Sequence, residues 1–261
     1  MSCMTSSDDI LSLAPPRADA RVAYGNDANQ FIDLRMPKAG GPHPVAICIH
    51  GGYWRANYDL EYLGHVCVAL AAKGIATANL EYRRVGNAGG GWPETFEDIR
   101  TAYQFLLQNA LRYRFDTQCL IVLGHSAGGQ LALCLAARET GINVAISLAG
   151  VVDLQRAYEL HLSNDAVVEF LGGTPAEVPE HYREADPMKL AIHTRQWLVH
   201  GADDDIVPRE ISRDYVKAKG KSKEEARLVS IQRAGHFEVV DPRSRAWPEV
   251  ERVLVDGVRK P

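Results

Sequence analysis

The chain has 261 residues, 46% of them hydrophobic, and a formal net charge of −4. That length allows a substantial core within one domain spanning 1–261, and the scattered lysines and arginines argue against a nucleic acid or a membrane surface as partner. Five cysteines (Cys3, Cys48, Cys67, Cys119 and Cys134) form no Cys-x-x-Cys pair and cannot all be bridged, so free, buried thiols in a reducing cytoplasm are expected.

The polar start, Met1 to Asp9, has neither a basic head nor an apolar core, so neither a secretory signal nor a membrane span is expected. The first twenty or so residues, marked by Pro15 and Pro16, are expected to wrap the surface. Phe31 to Pro37 alternates apolar and polar residues, as an antiparallel strand near a sheet edge does. Val45 to Ile49 is a buried strand ending in His50-Gly51-Gly52-Tyr53-Trp54. Leu60 to Ala72 predicts a helix stopped at Lys73 and Gly74, and Ile75 to Leu80 a further strand. Pro93 opens an amphipathic helix whose Phe96, Ile99, Tyr103, Leu106 and Leu107 form one apolar stripe. Leu120 to Leu123 and Val144 to Gly150 are buried strands flanking the helix-like run from Gln130. Such alternation implies an α/β fold with a mostly parallel sheet covered by helices on both faces. From 153 to 187 the pattern breaks. It fits either a small cap whose apolar residues could roof a pocket or a longer surface connection with a packed helix. Gln196 to Gly201 and the edge-like Leu228 to Ile231 complete the strands.

Gly124-His125-Ser126-Ala127-Gly128, between a strand and a helix, reads as a nucleophile elbow: flanking glycines permit the sharp turn that lifts the Ser126 hydroxyl above the sheet. A serine nucleophile needs a hole for the oxyanion it generates, and the glycine turn after Val45–Ile49 can supply backbone amides. Gly52, Tyr53 and Ala127 are the expected N–H donors, with Gly51 permitting the turn. The serine also needs a base and an orienting carboxylate. His236 follows Gly235 in the loop after Leu228–Ile231, and Asp203, Asp204 and Asp205 follow Gly201, which gives the chain order serine, aspartate, histidine. His50 and His125 are expected to orient backbone rather than act as bases.

These motifs, His-Gly-Gly-Tyr-Trp and Gly-His-Ser-Ala-Gly-Gly, resemble those of the α/β-hydrolase superfamily, in its arylformamidase (kynurenine formamidase) and small carboxylesterase branch. The resemblance implies that the acid lies in a His-Gly-x-x-Asp-x-x-Val-Pro pattern. His200 to Pro208 fits that pattern with Asp204 at the acid position, Asp205 and then Asp203 being the substitutes. It further implies a serine hydrolase acting on small-molecule esters or, alternatively, on aryl formamides, without a cofactor. A non-catalytic ligand-binding relative and a prolyl-oligopeptidase-type peptidase rank lower. Tyr53 and Trp54 are the expected substrate-binding side chains, a large ring at 53 favouring small acyl groups. Gly220-Lys221-Ser222 and Gly89-Gly90-Gly91 lack the spacing of phosphate-binding loops, and no histidine or cysteine set has metal-ligand spacing.

Overall fold

The computed structural model describes residues 9–38 and 40–259. Eight strands form one sheet: β1 (Ala20–Ala23), β2 (Phe31–Arg35), β3 (His43–Ile49), β4 (Ala76–Leu80), β5 (Phe115–His125), β6 (Val144–Leu148), β7 (Arg195–Gly201) and β8 (Ala226–Ile231). Their order is β1-β2-β4-β3-β5-β6-β7-β8; β2 pairs antiparallel with β1 and β4, and every other pairing is parallel. The central strands read as near-continuous apolar runs because both faces of the sheet are covered. Along β3, Val45, Ile47 and Ile49 enter one core, and Ala46 and Cys48 enter the other.

The larger core is roofed by α2 (Glu94–Gln108), α3 (Ala127–Arg138) and α7 (Glu210–Lys221), through residues such as Phe96, Leu131 and Tyr215. In α2, Glu94 and Glu97 lie in the first turn, where a carboxylate complements the helix dipole. The opposite core is covered by α1 (Gly64–Ala72) and α8 (Trp247–Gly257), through Val66, Leu70, Trp247 and Leu254. Cys48, Cys67, Cys119 and Cys134 are buried and form no disulfide among the described residues; Cys3 lies outside the described residues.

The N-terminal stretch is more integrated than a surface wrap. A 3-10 turn at Asp9–Ser12 plants Ile10 in the core. β1 then extends the sheet, held by Arg21, which pairs with Asp33 at 2.7 Å and covers the Phe31 ring at 4.0 Å. Between β6 and β7 stand three short helices, α4 (Leu154–Glu159), α5 (Ala166–Leu171) and α6 (Pro179–Ala185). They pack inward: Val167, Phe170 and Leu171 join the larger core, and Phe170 stacks flat on Trp54 with ring centroids 4.5 Å apart.

Candidate active site

The candidate residues leave the sheet from the carboxyl ends of four parallel strands, where open α/β sheets place their ligands. The Gly51-Gly52-Tyr53 turn follows β3, Ser126 follows β5, Asp204 follows β7 and His236 follows β8. Steric limits explain the glycines. A Cβ on Gly124 would stand 2.0 Å from the Gly128 carbonyl oxygen, and one on Gly128 would stand 2.1 Å from that of Ile49. Ser126 itself is held at φ 54°, a conformation an L residue adopts only when its surroundings enforce it. Here its N–H donates to the Leu148 carbonyl at 2.9 Å, and its own carbonyl accepts from Gly129 at 2.9 Å. Ala127 starts α3, so its N–H belongs to the first turn, which has no intrahelical acceptor.

The turn after β3 is braced from below. Tyr82 Oη donates to the His50 carbonyl at 2.8 Å, while His50 Nε2 lies 3.0 Å from Glu81 Oε1, both side chains buried. Burial alone would raise the Glu81 carboxyl; the His50 charge and hydrogen bond and the Arg84 charge outweigh it and hold the group below its usual range. Gly52 adopts φ 107°, and a Cβ there would collide with Tyr58 at 2.3 Å. The Gly51 N–H is donated to Tyr62 Oη at 2.7 Å, so it is not a free donor.

Asp204 and His236 are brought together: His236 Nδ1 lies 2.7 Å from Asp204 Oδ2. Backbone pairing sets this register, since Ala202 N–H donates to Ile231 O at 2.8 Å and Asp203 N–H to Ala234 O at 3.0 Å. Asp203 and Asp205 are exposed, whereas the Asp204 side chain is fully buried. Its Oδ1 accepts the N–H groups of Ile206 and Val207, at 2.9 and 2.8 Å. His200 Nε2 approaches Oδ2 at 3.1 Å. Burial would raise this carboxyl, but the hydrogen bonds from His200 and His236 win and hold it far below the usual carboxylate range. His200 was not among the expected site residues, although the His-Gly-x-x-Asp pattern contains it.

A cleft of about 180 Å³ opens above Ser126, lined by Leu11, Gly52, Tyr53, Tyr58, Tyr62, His125, Ser126, Ile206, His236 and Phe237. Tyr53 is in its wall and ties the turn after β3 to the loop of Asp204, its Oη donating to the Ile206 carbonyl at 3.1 Å. Trp54 is not in the cleft, which corrects the expectation of a substrate-binding ring there. It is fully buried, stacked on Phe170, and its indole N–H donates to Gln130 Oε1 at 3.0 Å. The reason is local: Tyr53 and Trp54 both sit at positive φ, and the turn sends one ring to the cleft and the next into the core. None of the lining comes from 153–187, whereas Leu11, from the N-terminal turn, is part of it.

The BD-FAE family model matches residues 32–218, more than half the chain. The chain belongs to the BD-FAE family. Among curated relatives, the esterase LipC of Mycobacterium tuberculosis is 25% identical over 248 residues, covering 85% of this chain and 60% of its own length. A probable isoprenylcysteine alpha-carbonyl methylesterase, ICMEL1 of Arabidopsis thaliana, is 22% identical, covering 86% of this chain and 52% of its own length. This BD-FAE chain thus spans a little over half the length of those relatives. Among solved structures, a truncated carbohydrate esterase from gut microbiota superposes with a TM-score of 0.80 at 19% identity, covering 95% of this chain and all of that one. The native Est2 esterase of Thermogutta terrifontis superposes at 0.76 with 21% identity, covering 95% of each chain. The fold is that of an α/β-hydrolase. Among the described residues, no helix of this family member is long and apolar enough to cross a membrane.

Proposed function

We propose that this chain is a serine hydrolase of small, neutral carboxylic esters, acting as one catalytic domain with the 153–187 helices as an inward-packed insertion. The carrying observation is the 2.7 Å hydrogen bond between buried Asp204 and His236, a residue that lines the same cleft as Ser126 at its strained elbow. His236 takes the Ser126 proton as the hydroxyl oxygen attacks the acyl carbonyl, and Asp204 stabilises the imidazolium that forms. The N–H groups of Gly52, Tyr53 and Ala127 receive the oxyanion. Collapse expels the alcohol, which takes the proton from His236, and water then releases the acid by the same steps in reverse order. The likeness to LipC, an esterase, and to ICMEL1, a probable methylesterase, supports this class of reaction.

Substrate charge follows from the lining, which among the described residues holds no Lys, Arg, Asp or Glu, so a charged group brought into this cleft of about 180 Å³ with its mostly aromatic walls would be desolvated without a partner from them. The second reading, an arylformamidase, is favoured by the Tyr53 and Tyr58 rings, against which an aryl group can stack. N-formylkynurenine, however, carries an ammonium and a carboxylate that this cleft does not pair. Ser126→Ala should abolish hydrolysis of p-nitrophenyl acetate while the protein stays folded; retained turnover would overturn the proposal. Wild-type protein should prefer acetyl and propionyl esters to N-formylkynurenine by kcat/KM, and the opposite order would establish the second reading.

A further inference from the structure

Behind the cleft, three segments far apart in the chain are joined by hydrogen bonds whose direction is forced. The Gly51 N–H can only donate, and it lies 2.7 Å from Tyr62 Oη. That oxygen therefore accepts, and its single proton goes to the next neighbour, His125 Nδ1, at 2.8 Å. His125 must then carry its proton on Nε2, which lies 3.1 Å from an acceptor with no proton of its own, the backbone carbonyl of His236. Only one protonation pattern satisfies every link: neutral His125 with the proton on Nε2. Tyr62 and His125 are both buried, so a broken link would not be repaired by bulk water.

We infer that Tyr62 and His125 are positioning residues that lock the oxyanion turn, the elbow and the His236 loop into one register. The inference rests on the triad reading above and adds what holds the triad to its oxyanion hole. Ser126 sits between the two halves it must use. The donors at 52 and 53 follow Gly51, the base is residue 236, and His125 is the serine's own neighbour. Its ring lies 4.7 Å from the His236 ring. Burial, and then the nearby His236 charge, push the His125 imidazole well below its ordinary titration range, which keeps it in the neutral form the chain of bonds demands. A charged His125 would turn a second N–H toward Tyr62 and leave the Tyr62 proton without an acceptor.

The two ends can be cut separately. Tyr62→Phe removes the link to Gly51 and to His125. His125→Asn keeps an acceptor near the Nδ1 position but does not reach the His236 carbonyl, whereas His125→Gln can place an amide N–H there. With p-nitrophenyl acetate, Tyr62→Phe and His125→Asn should each lower kcat about tenfold with KM little changed, because misplacement by a fraction of an ångström costs transition-state rather than ground-state interactions. His125→Gln should recover part of the His125→Asn loss. If the links form one chain, the Tyr62→Phe/His125→Asn double variant loses little more than the worse single variant; two independent roles would multiply. A multiplicative double variant, wild-type kcat in either single variant, or a change confined to KM would each overturn the inference, the last because it would make Tyr62 simply a wall of the cleft.

Nitrogen-15 NMR of the wild-type histidines provides a readout that needs no variant to fold. His125 should show a pyridine-type Nδ1 and a pyrrole-type Nε2 at neutral pH, and the other tautomer or an imidazolium would refute the relay. If Ser126→Ala retained turnover, the triad reading would fall, while the tautomer measurement would still decide the hydrogen-bond chain.

Discussion

Asp186, at the end of α6, is a buried carboxylate whose ionisation should measurably oppose folding. Its side chain is fully buried; Oδ1 accepts the Met188 N–H at 3.0 Å, and Oδ2 finds no well-formed hydrogen bond among the described residues. Burial, followed by the charge of Asp153, pushes this carboxyl from 3.8 up to about 6, against the opposing pull of the Met188 and Leu154 N–H groups and Lys189. The folded state therefore holds the proton more tightly than the unfolded chain. Between about pH 4 and pH 6 the native protein binds more protons, so stability falls as pH rises through that window. The gap corresponds to about 3 kcal/mol, a large share of the ~5–15 kcal/mol of a typical domain. Asp186→Asn keeps an acceptor for Met188 and cannot ionise. Urea unfolding of wild type and variant from pH 4 to pH 8 gives two stability curves, and subtraction removes every other titrating group along with any constant offset from the amide. The wild-type minus variant difference should drop by about 2 kcal/mol between pH 4 and pH 6, by a few tenths more up to about pH 7, and be level above. A flat difference would mean the carboxylate is solvated in the native state, and a rising one would reverse the sign; either refutes the reasoning.

The aspartate run offers a second test. Asp204→Asn should lower kcat about 10⁴-fold by losing the charge and hydrogen bond that favour the correct His236 tautomer, while Asp203→Asn and Asp205→Asn, on exposed side chains, should stay near wild type. Initial rates on p-nitrophenyl acetate distinguish the three. Leu11 supplies a third: it lines the cleft while 42% exposed, so Leu11→Ala should lengthen the acyl chain accepted with little effect on Tm. The kcat/KM ratio of hexanoyl to acetyl ester should rise about fivefold. An unchanged ratio would show that this wall does not limit the acyl group.

What the sequence made legible, and what it did not, divides along one physical line. The strand and helix order was readable because a sheet covered on both faces demands apolar runs such as Val45–Ile49 and Leu120–Leu123, and because α2 carries its stripe at helical spacing. The glycines at 124 and 128 were readable because a side chain there would strike backbone within 2.1 Å, a constraint that only residue type can satisfy. Asp204 could be preferred over its neighbours only through a resemblance, since three consecutive carboxylates are chemically alike; what separates them is the pairing of Ala202 and Asp203 with the β8 loop, which turns residue 204 inward.

Contacts between segments left no such mark. Tyr62 lies just before α1 in a run with no motif, yet its hydroxyl meets Gly51 and His125 because β3 and β5 are neighbours in the sheet. Trp54 follows a cleft residue in sequence and points the other way because two consecutive positive φ angles reverse the chain between them. Gln130, unremarkable in a helix, clips that same Trp54 and the Ala185 carbonyl at 2.8 Å, fastening α3 to the turn after β3 and to the end of the inserted helices at once. The insertion is thereby pinned down beside the cleft rather than over it, which leaves the short N-terminal turn, anchored by buried Ile10, to supply the wall. A motif names the groups that react. The side chains that hold those groups in register are chosen by strand order, which is why they surface only once the sheet is assembled.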